Sequence, residues 1–405
     1  MSSPFPAEGG NPFELLFSQL GQMFRSSGPV NWDLARQFSQ WSAAEGTDLG
    51  NVEPLERIRL EELVKVADLH VADVTGLPTS STGRVVTVRP VTRADWAVQT
   101  LEAWKPLLGA LAGSLNQAAA EGSAPQAPGG PGAGADEEDL AGGLEGMLRP
   151  LMPGLQAAFL GLQFGSMLGS MAQRALGQYD LPIPRPPGDE LLVVAQNVTA
   201  FAADWSLSAD DVRLWVCLSE VTHHAVLARP SVRSRLEELL TAYVSGFDPS
   251  AASLEDRLAD VDPSDPSSLE RVLGDPAALL GEIQSDEQRR LLPQLASLLA
   301  VIEGYVDHVV DEVGRRLIGS HGPLTEALRR RRVERGQGER MVERLLGVEL
   351  RQEQYDRGTS FIRGVVERAG REALSQLWTL PHALPTPSEV EAPGLWLERI
   401  SLPGN

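Results

Sequence analysis

Cysteine is almost absent: Cys217 is the only one in 405 residues. A single thiol excludes an internal disulfide framework and any zinc cluster built on cysteines alone. Lysine is scarce too. Only Lys65 and Lys105 are present, and the other basic residues are arginines. Basic residues number 35 against 55 acidic ones, a formal net charge of −20. That balance argues against a general nucleic-acid binder, because neutralising phosphates takes a broad basic face. The opening MSSPFPAEGG lacks the basic stretch and apolar core of a secretory signal. A Gly-rich phosphate loop and a G-x-S-x-G elbow are also missing, which leaves nucleotide binding and serine-hydrolase chemistry without a motif. The expected location is the cytoplasm.

What is present is enough apolar sequence to bury a core. Hydrophobic residues make up 42% and charged residues 22%, outside the range of a disordered chain. Pro54 to Thr75 reads as a helix, with Leu55, Ile58, Leu63, Val66 and Leu69 near helical spacing. Residues 84–89 alternate and read as a strand, and residues 191–195 form a second, short apolar strand candidate. Residues 151–173 carry no charge. That run has the length of a membrane span, but its Pro, Gln and Ser content and four glycines fit a buried central helix better. Everything after Asp210 reads mostly as helix. The expected fold is mainly α with one or two small β pieces.

The domain organisation follows composition. Residues 1–11 read as a disordered N-terminus and 12–120 as an N-terminal helical region. Residues 121–143, EGSAPQAPGGPGAGADEEDLAGG, cannot bury enough apolar area to offset ordering entropy and read as a flexible acidic linker. Residues 144–405 then form the main helical domain. No membrane span is expected, and the partner class left open is a protein or peptide.

One stretch carries chemistry. In Ser219-Glu-Val-Thr-His223, Glu220 and His223 match the last four positions of H-E-x-x-H. That motif puts two imidazoles one helical turn apart, so both reach one zinc while the Glu polarises a bound water. The first imidazole is replaced by Ser219, a poor zinc ligand. Downstream, Glu303-Gly-Tyr-Val-Asp307 has the spacing E-x-x-x-D, with both acids on one helix face. In such a pair the Glu binds metal and the Asp orients a ligand from behind. The surrounding stretch is apolar, so these acids need partners; a metal site and a structural polar cluster both supply them. His224 and His308 are further candidates, although adjacent His223 and His224 point about 100° apart on a helix. Arg329 to Arg332 close a helix and read as a solvated, salt-bridged run. The tryptophans and Cys217 read as core.

Four blocks together resemble one family: GPVNWDLAR, SEVTHHAVL, EGYVDHVVD, and the tail from LRRRR through LGVELRQEQYDRGTSFIRGVVERAG to LWTLPHALPTPSEV. It is the actinobacterial zincin-like family labelled hydrolase or zinc-dependent metalloprotease, with relatives labelled as associated with deazaflavin-cofactor biosynthesis. The resemblance covers nearly the whole chain except the linker and the extreme termini. It implies a zincin-like helical domain and a peptidase-type metallohydrolase using zinc. Glu220 then takes the catalytic base position, His223 and Glu303 ligand positions, and Asp307 the supporting position. Ser219 marks a lost ligand, so the motif is degenerate. A metallohydrolase and a non-catalytic zincin-fold binding or scaffold protein both follow from that pattern.

Overall fold

The computed structural model describes residues 28–44, 51–122, 152–247, 285–380 and 382–402. The N-terminus at 1–11, the start of the helical region up to residue 27 and nearly all of the linker at 121–143 lie outside the described residues. In chain order the elements are α1 (Trp32–Ala44), α2 (Pro54–Thr75), β1 (Thr87–Val91), α3 (Arg93–Gly122), α4 (Met152–Ala172), β2 (Glu190–Val194), α5 (Ala195–Asp204), α6 (Ala209–Leu227) and α7 (Pro230–Ser245). After them come α8 (Asp286–Leu317), α9 (His321–Val333), α10 (Gln337–Leu346) and α11 (Gln352–Ala369), and short helical turns between Arg371 and Ser401. The fold is mainly α. The two strands pair in parallel, in the register Thr87↔Glu190 to Val91↔Val194. β1 thus begins three residues later than its alternating pattern, because pairing starts where the Thr87 amide donates to the Asp189 carbonyl at 2.8 Å.

α6 is the central helix. Ser208 caps it, accepting from the Asp211 amide, and Asp210 and Asp211 fill its first turn, where the helix dipole favours anions. From Val216 to Leu227 every residue is buried. α2 packs on it and is tied to it by Glu56, which accepts two bonds from the Arg213 guanidinium at 2.6 and 2.7 Å. The buried face of α2 is Leu60, Val64, Ala67 and Val71. Leu55, Ile58 and Leu69 are 55, 52 and 67% exposed, so the helix is where the sequence places it but a different stripe faces the core. α6 lies against the face that carries Leu60, Val64, Ala67 and Val71 and leaves the other stripe outside.

The charge-free run folds as α4 and is largely buried. Its glycines let α1 lie against it: a Cβ on Gly161 would sit 2.5 Å from the Asn31 carbonyl oxygen, and one on Gly165 2.6 Å from that of Ala35. No helix among the described residues is long and apolar enough to cross a membrane. α8 starts with a capping box between Ser285 and Gln288, which satisfies two orphan donors at once. It crosses α11 where Gly304 meets Gly358 backbone to backbone, so that a Cβ on either would overlap the other helix. This crossing and α6 fix the level at which Glu303 faces His223.

Candidate functional site

α6 turns His223 toward α8, and Ser219, Glu220 and His223 are all buried. His223 and Ser219 are one turn apart. The His223 ring places Nδ1 2.9 Å from the Ser219 carbonyl oxygen and Nε2 3.2 Å from Glu303 Oε1. The Ser219 hydroxyl reaches only 3.5 Å from Nδ1. Burial pushes the His223 pKa down, but the Glu303 hydrogen bond and charge, the Glu220 charge and the Ser219 carbonyl outweigh it, and the net direction is up. Burial pushes Glu303 up, but the His223 bond and charge, with Arg332 and Arg335, bring it below the usual range. The two therefore face each other as an imidazolium–carboxylate pair.

Asp307 lies one turn along α8 from Glu303. It holds a guanidinium: Arg332 Nη1 and Nη2 donate to its two oxygens at 2.7 and 2.6 Å. The same guanidinium comes within 3.8 Å of Glu303 Oε2 and lies over the Tyr355 ring, 4.8 Å from its centroid. Arg331 donates to Asp180 at 3.1 Å and to the Arg174 carbonyl at 2.8 Å. Arg335 pairs with Glu343 and donates to the Tyr355 hydroxyl. The arginine run is thus divided: Arg329 and Arg330 are exposed, while Arg331 and Arg332 turn inward to acids. Four successive helical positions sweep about 300°, so some had to face the core.

Glu220 faces the segment that follows α4. Its Oε2 accepts from the Tyr179 amide at 3.0 Å. Gly177 packs so closely on the carboxylate that a Cβ there would overlap it, and Gly177 is held in turn by Trp96, whose Nε1 donates to its carbonyl at 2.8 Å. Burial pushes the Glu220 carboxyl up to about 7, against the opposing effects of His223 and the Tyr179 amide. His224 points away from this group. Its Nδ1 lies 3.0 Å from the Tyr179 hydroxyl and its Nε2 3.2 Å from Asp189 Oδ1. His308 lies on another face of α8, beside Thr75 and Arg371, with Nε2 3.9 Å from Glu312. Cys217 is buried, and burial pushes its thiol up.

The polar groups line a pocket of about 70 Å³, room for a few waters rather than a peptide. Ser219, Glu220, His223 and Glu303 line it together with Tyr179 and Arg332. The structure brings together Ser219, Glu220, His223 and Glu303, with Asp307 behind; it leaves His224 on the far side and His308 outside. Tyr179, Asp180, Asp189, Arg331 and Arg332 are the participants that motif reading missed. For Tyr179 the available signal was GQYD between a charge-free helix and a proline-rich turn.

A helix carrying Glu and His at zincin spacing, met by a Glu from a second helix, defines the zincin class of site. Residues 30–397 match the zincin-like metallopeptidase family, and the chain belongs to that family. It is also similar to a crystal structure from Chloroflexus aurantiacus described as "a putative hydrolase with a novel fold", at 26% identity and a TM-score of 0.59, covering 93% of this chain and 100% of that one. No curated protein matches it.

The family description implies a metal, and the donors can be tested against it. A catalytic zinc takes three protein ligands. Among the described residues, no group of three or more His, Cys, Asp or Glu side chains is placed to hold an ion. His223 and Glu303 supply two donors, Ser219 only a neutral hydroxyl, and Glu220 is turned to an amide. The Arg332 guanidinium stands beside Glu303. The residues present do not fit a catalytic zinc.

Proposed function

We propose that this chain is a zincin-fold member of the metallopeptidase family that has lost zinc-dependent hydrolysis and serves as a binding or scaffold protein for a protein or peptide partner. The donor set carries the reading. Ser219 stands where the first imidazole of the motif belongs, and the acid pair of α8 is already neutralised by His223 and Arg332. The test is zinc titration by calorimetry, with metal content measured after dialysis. Wild type should carry no stoichiometric zinc. Ser219→His should bind zinc at least about tenfold more tightly, roughly 1.4 kcal/mol. Stoichiometric zinc in wild type that disappears in His223→Ala would overturn the reading.

A metallohydrolase remains the second reading, favoured by one distance. His223 Nε2 and Glu303 Oε1 lie 3.2 Å apart, close to the span of two donors each about 2.0–2.1 Å from one tetrahedral ion. In that reading His223 and Glu303 are the ligands, Asp307 supports them, and Glu220, with a pKa near the operating pH, is the general base. Peptidase activity that survives in wild type and is lost in Glu220→Gln would favour it.

A further inference from the structure

Tyr179 meets three polar side chains of α6, and each contact uses a different part of the residue. Its amide donates to Glu220 Oε2 at 3.0 Å. Its ring lies on His223, with centroids 5.9 Å apart and planes 24° from parallel. Its hydroxyl lies 3.0 Å from His224 Nδ1. The chain of contacts continues outward. His224 Nε2 lies 3.2 Å from Asp189 Oδ1, and Asp189 is gripped by the loop at residues 80–82. Ser80 Oγ, the Ser81 amide and Oγ, and the Thr82 amide and Oγ1 all donate to its carboxylate.

The direction of these bonds is set by the ends. Asp189 holds its charge: burial opposes ionisation, but the bonds from Thr82, Ser81 and Ser80 keep its pKa well below the usual range. Burial pushes the His224 pKa down, against the bond and charge of Asp189. A neutral imidazole beside a carboxylate donates to it from Nε2, so Nδ1 accepts from the Tyr179 hydroxyl. The order is Tyr179 to His224 to Asp189, with each group fixed by the next. Neither His224 nor Asp189 lines the pocket.

We propose that His224 and Asp189 are positioning residues, a latch that holds Tyr179 in the pocket wall and, through its amide, holds the Glu220 carboxylate in place. A buried phenol needs one acceptor, which a backbone carbonyl could provide. Here the acceptor is one end of a three-residue chain anchored in a separate loop, and the residue it fixes touches both motif positions Glu220 and His223. The latch rests on reading this pocket as the protein's site, and its test needs no ligand.

The experiment is amide hydrogen exchange by NMR at fixed pH, together with the carboxyl ¹³C resonance of Glu220, in Tyr179→Phe, His224→Ala and His224→Gln. Phenylalanine keeps the ring and amide and removes only the hydroxyl. Tyr179→Phe and His224→Ala should each speed exchange of the residue 179 amide at least about tenfold and move the Glu220 resonance, with α8 amides unchanged. His224→Gln should restore both, because its amide can donate to Asp189 and accept from Tyr179. If Tyr179→Phe fails to fold, His224→Ala decides on the same two readouts. Unchanged exchange and an unmoved Glu220 resonance would overturn the latch. A pocket that binds nothing would show in the zinc and peptidase assays and leave these rates as they are.

Discussion

His223 and His224 are neighbours on α6, yet they belong to two differently built networks. On the pocket side, His223 meets Glu303, and Arg332 and Asp307 stand behind it. Charges there are matched in pairs, and removing one leaves another buried. On the far side, His224 meets Tyr179 and Asp189. Asp189 is the charged end of that hydrogen-bonded chain, and a loop of amides and hydroxyls satisfies it. One network depends on opposite charges, the other on dipoles around a single charge. The first is therefore expected to respond sharply to any loss of a partner, and the second to yield gradually.

The largest expected effect is on the pocket side. Glu303→Ala leaves a buried imidazolium unpaired, a loss of about 3–5 kcal/mol, readable by urea unfolding at neutral pH. The pair also has a pH signature. Glu303, with its pKa lowered, contributes stability above the ordinary carboxylate range that is lost as pH falls. His223, with its pKa raised, contributes stability below the ordinary histidine value that is lost as pH rises. A loss in Glu303→Ala smaller than about 1 kcal/mol would mean that the two networks do not differ in kind.

Glu220 sharpens the comparison, because among the described residues no ion pair holds it and burial outweighs the charge of His223. Its folded pKa of about 7 lies above the ordinary 4.5. Stability is therefore full below the ordinary value and lost as pH rises through 7. Glu220→Gln should remove that slope. The gain should be about 3 kcal/mol at pH 8 and close to nothing at pH 4.5. Parallel stability curves for the two proteins would show that Glu220 ionises freely.

The far side should give smaller numbers. Asp189→Asn removes the charged acceptor of the loop and of His224, and the expected loss is about 2 kcal/mol. Thermal unfolding at pH 7 measures it, and a loss equal to that of Glu303→Ala would erase the contrast. Tyr179→Phe deletes one neutral hydrogen bond, an expected loss of about 1 kcal/mol, with the His224→Gln protein as the reference for the intact chain of donors. A loss several times larger would place the latch in the core of the folding unit.

Local periodicity revealed much of this architecture. The α2 boundaries, both strands to within a few residues and the buried α4 follow from hydrophobic spacing and turn residues. The meeting of His223 with Glu303 was legible because both motifs sit on strongly helical stretches with fixed side-chain directions. The face of α2 was not legible, because Leu55, Ile58 and Leu69 form as regular a stripe as the residues that are buried; only the presence of α6 selects between them. Asp189 and Arg332 were hidden for a different reason. Their roles depend on which loop or helix lies opposite, 108 residues away for Ser81 and Asp189 and 25 for Asp307 and Arg332, and no short pattern encodes that pairing.

The glycine crossing of α8 and α11 has a consequence for the acid beside it. Glu303 directly precedes Gly304, whose backbone rests on Gly358. A slide of α8 by a single residue would move it about 1.5 Å along its axis and turn Glu303 by about 100°, away from His223. With main chain pressed on main chain, there is no side chain to compress and no space to turn into. α11 thus works as an index pin: it lends only Tyr355 to the pocket lining, yet its glycine sets the angle at which α8 presents its carboxylate, and a single methyl group added at position 358 would be enough to put the acid out of alignment.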